Sequence, residues 1–332
     1  MTYFILIDLF IVYFFLKKNK ILAKKLNLID LPSSIKKHKQ ATRLTGGILI
    51  LIGLSLNYFY INFFSPTINF YSFPLVITIF LIGLLDDIIS LKPYQKLFLT
   101  FLPIFFFILI TNDLRIVSLN FDFSFFYFPT NLFVNFFLPI LGLLLLINAY
   151  NMSDGVNGLA ASIGLSWIIY LIVKYPFLFD SIFLVILNLI IFIFFNFKKK
   201  IFLGDSGNYI LSTLIGTTII SINFNKPYLF ITEEIFLLLI FPGIDMLRLF
   251  IVRIINKKNP FSGDLNHLHH LLYRKIDNNY LLVVIYILII NFPIYLFFFY
   301  KINIYYLIIL QFITYFFLLK ISSKNNPGQF KK

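Results

Sequence analysis

Five polar clusters interrupt an otherwise apolar sequence, and each combines residue types that bind metal ions or phosphate groups. Acidic and amide side chains recur beside glycines, and three of the four histidines lie within four residues of one another. In chain order the clusters are KKHKQATRLTGG (36–47), GLLDDIISLKPYQK (83–96), NAYNMSDGVNGLAA (148–161), FLGDSGN (202–208) and NPFSGDLNHLHHLL (259–272).

Together the side chains of these clusters suit a site for a divalent metal ion and a diphosphate. Carboxylates and amides are hard oxygen ligands for Mg²⁺, which keeps several waters and is usually shared with substrate phosphates. Histidine and arginine donate charge-assisted hydrogen bonds to phosphate oxygens, and glycines let a large ligand approach the backbone. The chain has no Walker motif, GxxxxGK[ST], which argues against an ATP-driven pump.

Each cluster taken alone also has a purely structural explanation. Asn, Asp and Gly often cap membrane helices, and a basic loop can simply follow the cytoplasmic excess of positive charge. FLGDSGN, for example, could cap a helix whose N-terminal dipole favours Asp205. Carboxylates at membrane depth are costly and usually mark a functional site. Five such clusters on one face of the membrane therefore favour a functional site over a purely structural explanation.

The composition places the chain among membrane proteins. Of its 332 residues, 60% are hydrophobic and only 13% are charged, whereas soluble proteins are about 45–50% apolar and about 25% charged. There are no cysteines, which excludes disulfides, thiolate metal sites and cysteine catalysis. The net charge of +14 is scattered between apolar runs, so we expect no nucleic-acid partner.

The apolar runs predict an all-α polytopic membrane protein with eleven transmembrane helices in a lipid bilayer. Each run has about the length that a helix needs to cross the hydrocarbon core. The predicted spans are 2–17, 44–64, 70–88, 95–111, 131–149, 158–173, 177–195, 206–223, 229–252, 279–299 and 302–320. We expect one domain over 1–332, and alternating residues in 116–128 suggest a short hairpin.

The positive charges predict the orientation of the helices. With the N-terminus outside, 24 of the 28 Lys and Arg residues fall on the cytoplasmic side, which includes the C-terminus. Two cytoplasmic loops stand out, a basic loop at 18–43 and a histidine-containing loop at 253–278. All five polar clusters then lie at the cytoplasmic face, where we expect the active site.

The order and spacing of the clusters resemble those of the polyprenyl-phosphate N-acetylhexosamine-1-phosphate transferases, glycosyltransferase family 4, which include WecA-like and MraY-like enzymes. The resemblance covers nearly the whole chain. It rests on DLPSSIKKHK with TGG, GLLDDIISLKPYQK, NAYNMSDGVNGL, FLGDSG and NPFSGDLNHLHHLL. It implies transfer of a UDP-linked amino sugar phosphate to a lipid phosphate, with release of UMP.

The resemblance also implies roles for individual residues. Asp205 would ligate Mg²⁺, with Mn²⁺ as the alternative ion, and Asn151 would assist. Asp154 and Asn157 would hold the nucleotide. The other implied members of the site are Phe202 near the uracil, Lys96 at a phosphate, His267, His269, His270 and Arg253 at the sugar diphosphate, and His38 and Asp264 in substrate binding.

Asp86 and Asp87 are expected to have separate roles. Adjacent residues on a helix point about 100° apart, so the two side chains should not reach one atom. One would face the lipid phosphate, where it could accept a residual proton, or a metal-bound water. The other would orient a basic partner such as Lys96.

Three details depart from the family pattern. The proline usual before the first glycine pair is missing, the arginine of RLTGG is shifted, and Asn208 stands where a serine is usual. These departures bear on Arg43 and Asn208 and leave the role implied for Asp205 unchanged.

The last motif resembles the GlcNAc-1-phosphate branch of the family. It implies UDP-GlcNAc or a related UDP-N-acetylhexosamine as donor and undecaprenyl phosphate as acceptor. The product would start a surface polysaccharide such as O-antigen, in the inner membrane of a bacterium. Alternatives are the phospho-N-acetylmuramoyl-pentapeptide transferase of peptidoglycan synthesis and, in another class, a transporter or lipid flippase. Whether the protein forms a homodimer stays open.

Overall fold

The computed structural model describes residues 1–31, 41–64, 72–122, 127–129, 131–226, 229, 231–260 and 264–323. Its described part contains twelve α-helices. They are α1 (Thr2–Lys25), α2 (Gly46–Phe64), α3 (Phe73–Ile89), α4 (Pro93–Ile110), α5 (Leu132–Met152), α6 (Leu159–Lys174), α7 (Phe179–Phe197), α8 (Gly204–Asn225), α9 (Thr232–Ile255), α10 (Leu268–Ile276), α11 (Asn279–Tyr300) and α12 (Ile304–Ser323).

The helices confirm the prediction of an all-α polytopic membrane protein. Each of the eleven predicted spans overlaps one helix, and the remaining helix, α10, lies in the histidine-containing loop. Among the described helices, seven are long and apolar enough to cross a membrane: α2, α4, α5, α7 with the turn before it, α9, α11 and α12. Helix α6 is apolar but has only 16 residues.

Local sequence signals explain where several helices begin and end. The side chains of Asn131 and Asn278 accept hydrogen bonds from the first turns of α5 and α11, as N-caps do. Prolines occupy the first turns of α3 and α4, where their missing N–H costs nothing. Helix α10 ends at Asp277, which has a left-handed backbone with φ of 46°.

Two short strand pairs accompany the helices. Strands β1 (Ile29–Asp30) and β2 (Thr42–Arg43) are antiparallel and were not predicted. Strands β3 (Ser118–Asn120) and β4 (Tyr127–Pro129) are also antiparallel, with Leu119 opposite Phe128. The hairpin predicted within 116–128 is therefore present, and its second strand ends one residue later.

The chain forms two compact units, each built from two stretches of sequence. The first unit is Met1–Leu114 with Ala161–Thr218, and the second is Arg115–Ala160 with Ile219–Lys332. Two turns of 3₁₀ helix, Asn112–Leu114 and Pro176–Leu178, also lie in the first unit.

Buried amides join the helices of the first unit. Asn57 on α2 accepts hydrogen bonds from the backbone N–H groups of Leu184 and Val185 on α7, and its own amide donates to the Asp180 carbonyl. Asn188 on α7 donates to Asp8 on α1 and to the Leu49 carbonyl on α2. Hydrogen bonds of this kind fix the rotation of apolar helices, whose packing alone has little specificity.

Aromatic packing and helix contacts build the second unit. Helix α9 packs against α5, α11 and α12. The buried ring of Phe241 on α9 meets Tyr286 on α11 and Tyr315 on α12 edge to face, with centroids 5.3 and 5.5 Å apart. The short helix α10 packs on α11 and α12. These helices provide the support for the histidines.

Candidate active site

The first turn of α8 is held by the carboxylate of Asp87, which lies at the end of α3. The backbone N–H groups of Asp205 and Ser206 donate to Asp87 at 2.7 and 3.1 Å, and the Ser206 hydroxyl donates at 2.6 Å. First-turn amides have no partner within their own helix, and the positive end of the helix dipole favours an anion there. Asp87 therefore caps α8 from a distant part of the sequence and positions Asp205.

Glycines allow the backbone around this turn to pack closely. A Cβ at Gly47 would lie 2.6 Å from the Gly207 nitrogen, and one at Gly83 would lie 2.7 Å from the Ser206 Cα. Gly204 has φ of +74°, a conformation that costs glycine little, and a Cβ there would meet the Asp87 carboxylate. The GDSG turn is thus enclosed by TGG and by the glycine just before the aspartate pair.

Backbone pairing completes the support of the turn. The Phe202 N–H donates to the Arg43 carbonyl, and the N–H groups of Gly46 and Gly47 donate to the carbonyls of Phe202 and Leu203. The segment entering α8 thereby runs beside the segment entering α2. The TGG and FLGDSG motifs, far apart in sequence, form one local structure.

Asp86 takes part in a different set of contacts. Its Oδ1 accepts the Leu91 N–H at 2.8 Å, and its Oδ2 forms an ion pair with the Lys96 ammonium. Lys96 also lies 3.0 Å from Oδ2 of Asp205. The side chain of Asp86 is 1% exposed, whereas those of Lys96 and Asp205 are each about a quarter exposed. Asp86 therefore anchors Lys96, and Lys96 and Asp205 are the groups that an incoming ligand can reach.

The two aspartates hold different groups, and the expected role of one of them at the lipid phosphate stays a prediction. Asp86 orients Lys96, and Asp87 binds the start of α8. The helical geometry of α3 separates the two side chains, as adjacent helix positions require.

The predicted magnesium ion has one accessible carboxylate among the site residues of the first unit, because Asp86 and Asp87 are held by Lys96 and by the start of α8. Within the described residues, no group of three or more His, Asp or Glu side chains is arranged to enclose a metal ion. Mg²⁺ is usually bound through one or two carboxylates, several waters and substrate phosphates. Asp205 has a partly exposed side chain, and it stays the predicted carboxylate ligand for such an ion.

The second unit brings the third and fifth clusters together. Gly155, in the loop after α5, lies so close to α10 that a Cβ there would collide with Nε2 of both His269 and His270. The rings of His269 and His270 are 4.3 Å apart, and His267 stacks on His269 at 5.5 Å. Glycine in DGVNG thus permits close packing of the loop against the histidines.

Arg253 and Asp264 form a partly buried ion pair that helps to shape the histidine-containing loop. Arg253 Nε and Nη2 lie 3.1 and 3.0 Å from Asp264 Oδ2, and Nη1 donates to the Pro260 carbonyl. Asp264 also accepts the Asn266 N–H at 2.8 Å. Arg253 is 3% exposed. These contacts indicate that both residues hold the loop, and the ligand contacts of Arg253 and Asp264 stay predictions.

Asp245 is a prominent residue of the second unit that the sequence analysis missed. It lies on α9, is buried, and contacts Arg248, Tyr315, His267 and the start of α10. It was counted within the predicted span 229–252. A carboxylate in the middle of an apolar run was the available signal, because such residues are costly unless they are paired.

The predicted site residues fall into the two units. The first unit contains Asp86, Asp87, Lys96, Phe202 and Asp205. The hydrogen bonds and ion pairs described above join these residues around the start of α8. The second contains Asn151, Asp154, Asn157, Arg253, Asp264, His267, His269 and His270. His38 lies outside the described residues. The pairing of Asn151 with Asp205 at one metal ion stays a prediction.

Comparison with known proteins agrees with the motifs. The sequence model described as "Glycosyl transferase family 4" matches residues 69–223, which include both aspartates of α3 and the GDSG turn. Residues 69–223 of the chain are thus similar to this family. The chain is 29% identical to the undecaprenyl-phosphate alpha-N-acetylglucosaminyl 1-phosphate transferase of Thermotoga maritima, over 77% of this chain and 76% of that protein.

Two further relatives carry the names of the two transferase activities that the sequence analysis considered. The protein of the same name from Escherichia coli K12 is 27% identical over 79% of this chain and 72% of its own length. A phospho-N-acetylmuramoyl-pentapeptide-transferase of Petrotoga mobilis is 30% identical, but over 54% of this chain and 60% of its own length. The family resemblance expected from the motifs is confirmed.

Gly83→Ala is expected to destabilise the protein by about 1–3 kcal/mol, because the new methyl group would overpack the α8 turn at backbone atoms that cannot move independently. The measurement is thermal unfolding of the purified protein in detergent. Gly142→Ala is the matched control, since a Cβ at Gly142 has no heavy atom within 4 Å. Equal unfolding temperatures for the two variants would contradict the close packing.

Proposed function

We propose that this protein transfers N-acetylglucosamine 1-phosphate from UDP-GlcNAc to undecaprenyl phosphate, giving undecaprenyl-diphosphate-GlcNAc and UMP. Relatives from Thermotoga maritima and Escherichia coli carry the name of this activity over most of the chain. The observation that carries the proposal is the arrangement at α8, where Asp87 holds the turn that presents Asp205 beside Lys96.

The reaction needs positioning and charge neutralisation more than covalent chemistry by the protein. An oxygen of the lipid phosphate forms a bond to the phosphorus next to the sugar. The bond from that phosphorus to the bridging oxygen breaks, and UMP leaves with the electron pair. A bound Mg²⁺ would offset the negative charge that develops on the leaving group.

The residues of the first unit supply the positioning for that step. Asp205 would hold the metal ion, and Mn²⁺ is the alternative ion. Lys96, kept in place by Asp86, would bind a phosphate oxygen of the lipid or of the nucleotide. The contacts of Asp86 and Asp87 support positioning roles for both, and proton acceptance by one of them stays a prediction.

The residues of the second unit would bind the nucleotide sugar. Asp154 and Asn157, in the loop that contains Gly155, would hold the nucleotide, and Asn151 would assist at the metal ion. His269 and His270 would contact the diphosphate. Their close packing against Gly155 supports this proposal, because it joins the two sequence motifs into one surface.

Two alternatives make different predictions about the substrate. A phospho-N-acetylmuramoyl-pentapeptide transferase would use UDP-MurNAc-pentapeptide, but the relative of that name matches a smaller part of this chain. A transporter or flippase would release no UMP. Polar groups of transporters tend to lie near the membrane midplane and to follow repeat symmetry, whereas the polar clusters here are expected at one face.

The proposed setting is the inner membrane of a bacterium, where the product would start a polysaccharide such as O-antigen. All eleven helices that overlap the predicted spans would cross the bilayer, with the N-terminus outside and the C-terminus in the cytoplasm. The positive charges of the sequence support this orientation. Homodimer formation stays a prediction.

Purified protein with Mg²⁺, undecaprenyl phosphate and a panel of UDP-sugars should release UMP, fastest with UDP-GlcNAc. Asp205→Asn should lower turnover at least about 100-fold, because the amide keeps the shape but loses the negative charge that a metal ligand needs. The measurement is UMP release over time in detergent or nanodiscs.

Asp180→Asn is the control for this substitution, since Asp180 occupies the first turn of α7 as Asp205 does that of α8. It should retain normal turnover. No UMP release from any UDP-sugar would refute the transferase, and normal turnover of Asp205→Asn would refute its role at the metal ion. Preference for the muramoyl-pentapeptide donor would assign the protein to the other branch.

Single cysteines test the orientation, because the natural chain has none. Ile302→Cys, between α11 and α12 at the predicted outer end of the last span, should react with a membrane-impermeant maleimide in intact cells. Lys258→Cys, in the predicted cytoplasmic loop after α9, should react only after the membrane is opened. Both positions are exposed. The opposite labelling pattern would reverse the proposed topology.

A further inference from the structure

Asp245 on α9 is a buried carboxylate to which four groups donate hydrogen bonds. Its Oδ1 accepts from Arg248 Nη2 at 2.9 Å and from the Tyr315 hydroxyl at 2.8 Å. Its Oδ2 lies 2.7 Å from His267 Nδ1, and the Leu268 N–H lies 3.2 and 3.3 Å from the two oxygens. Asp245 is 4% exposed. A buried carboxylate with this many donors is ionised and firmly held.

The carboxylate determines which nitrogen of His267 carries the proton. An ionised carboxylate only accepts hydrogen bonds, so His267 Nδ1 must be the donor at 2.7 Å. Because Nδ1 is bound to Asp245, Nε2 is the ring nitrogen that remains for contact with a ligand. A group that accepts a hydrogen bond from one ring nitrogen of a histidine thereby selects the tautomer and the orientation of the ring.

Charge balance favours a neutral ring. Arg248 already neutralises Asp245 through its ion pair at 2.9 Å. His267 is 5% exposed, and its ring stacks on that of His269. A second buried cation without its own counter-charge would be costly. A neutral ring with the proton on Nδ1 has a bare Nε2, which accepts a hydrogen bond.

We propose that Nε2 of His267 accepts a hydrogen bond from a hydroxyl or N–H group of the UDP-amino sugar, and that Asp245 is the positioning residue that keeps Nε2 an acceptor. This proposal rests on the proposed function. It gives His267 a different task from His269 and His270, namely recognition of a donor group on the sugar. Arg248 and Tyr315 hold Asp245 from the side opposite His267.

Asp245→Asn reverses the hydrogen bond without a large change of shape. Arg248 and Tyr315 donate to the Oδ1 position, so the amide oxygen stays there and the NH₂ group faces His267. His267 Nδ1 must then accept, and its proton moves to Nε2. An Asp→Asn change behind a histidine can thus impose the wrong tautomer while the geometry is kept.

The tautomer is measured directly by ¹⁵N NMR of protein labelled at histidine, in detergent near neutral pH. The chain has four histidines, and the signals lost in His267→Asn identify His267. The expected result is a proton on Nδ1 in the wild type and on Nε2 in Asp245→Asn. A wild-type ring with the proton on Nε2, or with protons on both nitrogens, would overturn the proposal.

Kinetics test whether the tautomer matters for the sugar. Asp245→Asn should raise the KM for UDP-GlcNAc about tenfold, since a donor would replace the acceptor that the sugar needs, and should leave the KM for undecaprenyl phosphate within about twofold. Asp277→Asn is the matched control. Asp277 is exposed at the other end of α10, and asparagine tolerates its left-handed backbone.

A double-mutant cycle separates positioning from general loss of structure. The Asn side chain of His267→Asn can still donate to Asp245 in place of Nδ1, but it has no group at the Nε2 position. In that background Asp245→Asn should change the KM for UDP-GlcNAc less than about threefold. A tenfold change there, or an equal rise of the KM for both substrates, would show that Asp245 acts by another route.

The two proposals fail in different ways. If the wild type releases no UMP from any UDP-sugar, the transferase is refuted while the NMR experiment still decides the Asp245–His267 bond. If the wild type is active and His267→Asn leaves the KM for UDP-GlcNAc unchanged, the transferase stands and the sugar contact of His267 is refuted.

Discussion

Three hydrogen bonds to the carboxylate of Asp87 determine where Asp205 lies. The amides of Asp205 and Ser206 and the Ser206 hydroxyl all donate to it. The glycines of α2 and α3 bring the backbone close enough for these bonds, and the Phe202 segment pairs with the segment before α2. The Asp86–Lys96 ion pair then places a cation beside Asp205. The chemistry proposed for the first unit depends on this one cap.

The second unit applies the same principle with another carboxylate. Asp245 binds the residue before α10 and the first amide of that helix, and Tyr315 and Arg248 bind Asp245 in turn. In both units an acid on one helix binds the start of another helix that carries predicted site residues. Such an arrangement places polar groups accurately where apolar helix packing has little directional preference.

Sequence patterns were enough to locate the helices and the polar motifs. Apolar runs predicted a helix at each of eleven positions, and alternation predicted the hairpin around Leu119. Helix α10 was not among the predicted spans because nine residues with a strong polar face do not form a long apolar run. The contacts of Asp87 were not predictable either, since they join residues 118 positions apart. Asp245 was hidden inside an apolar span, where only its charge marked it.

Amide hydrogen exchange at Asp205 and Ser206 tests the Asp87 cap most directly. Both amides are in the first turn of α8, where no carbonyl of the same helix can protect them. The account predicts slow exchange in the wild type and in Asp86→Ala, and exchange at least about tenfold faster in Asp87→Ala, because the acceptor is gone. Equal exchange rates in the wild type and in Asp87→Ala would contradict the claim that Asp87 holds the start of α8.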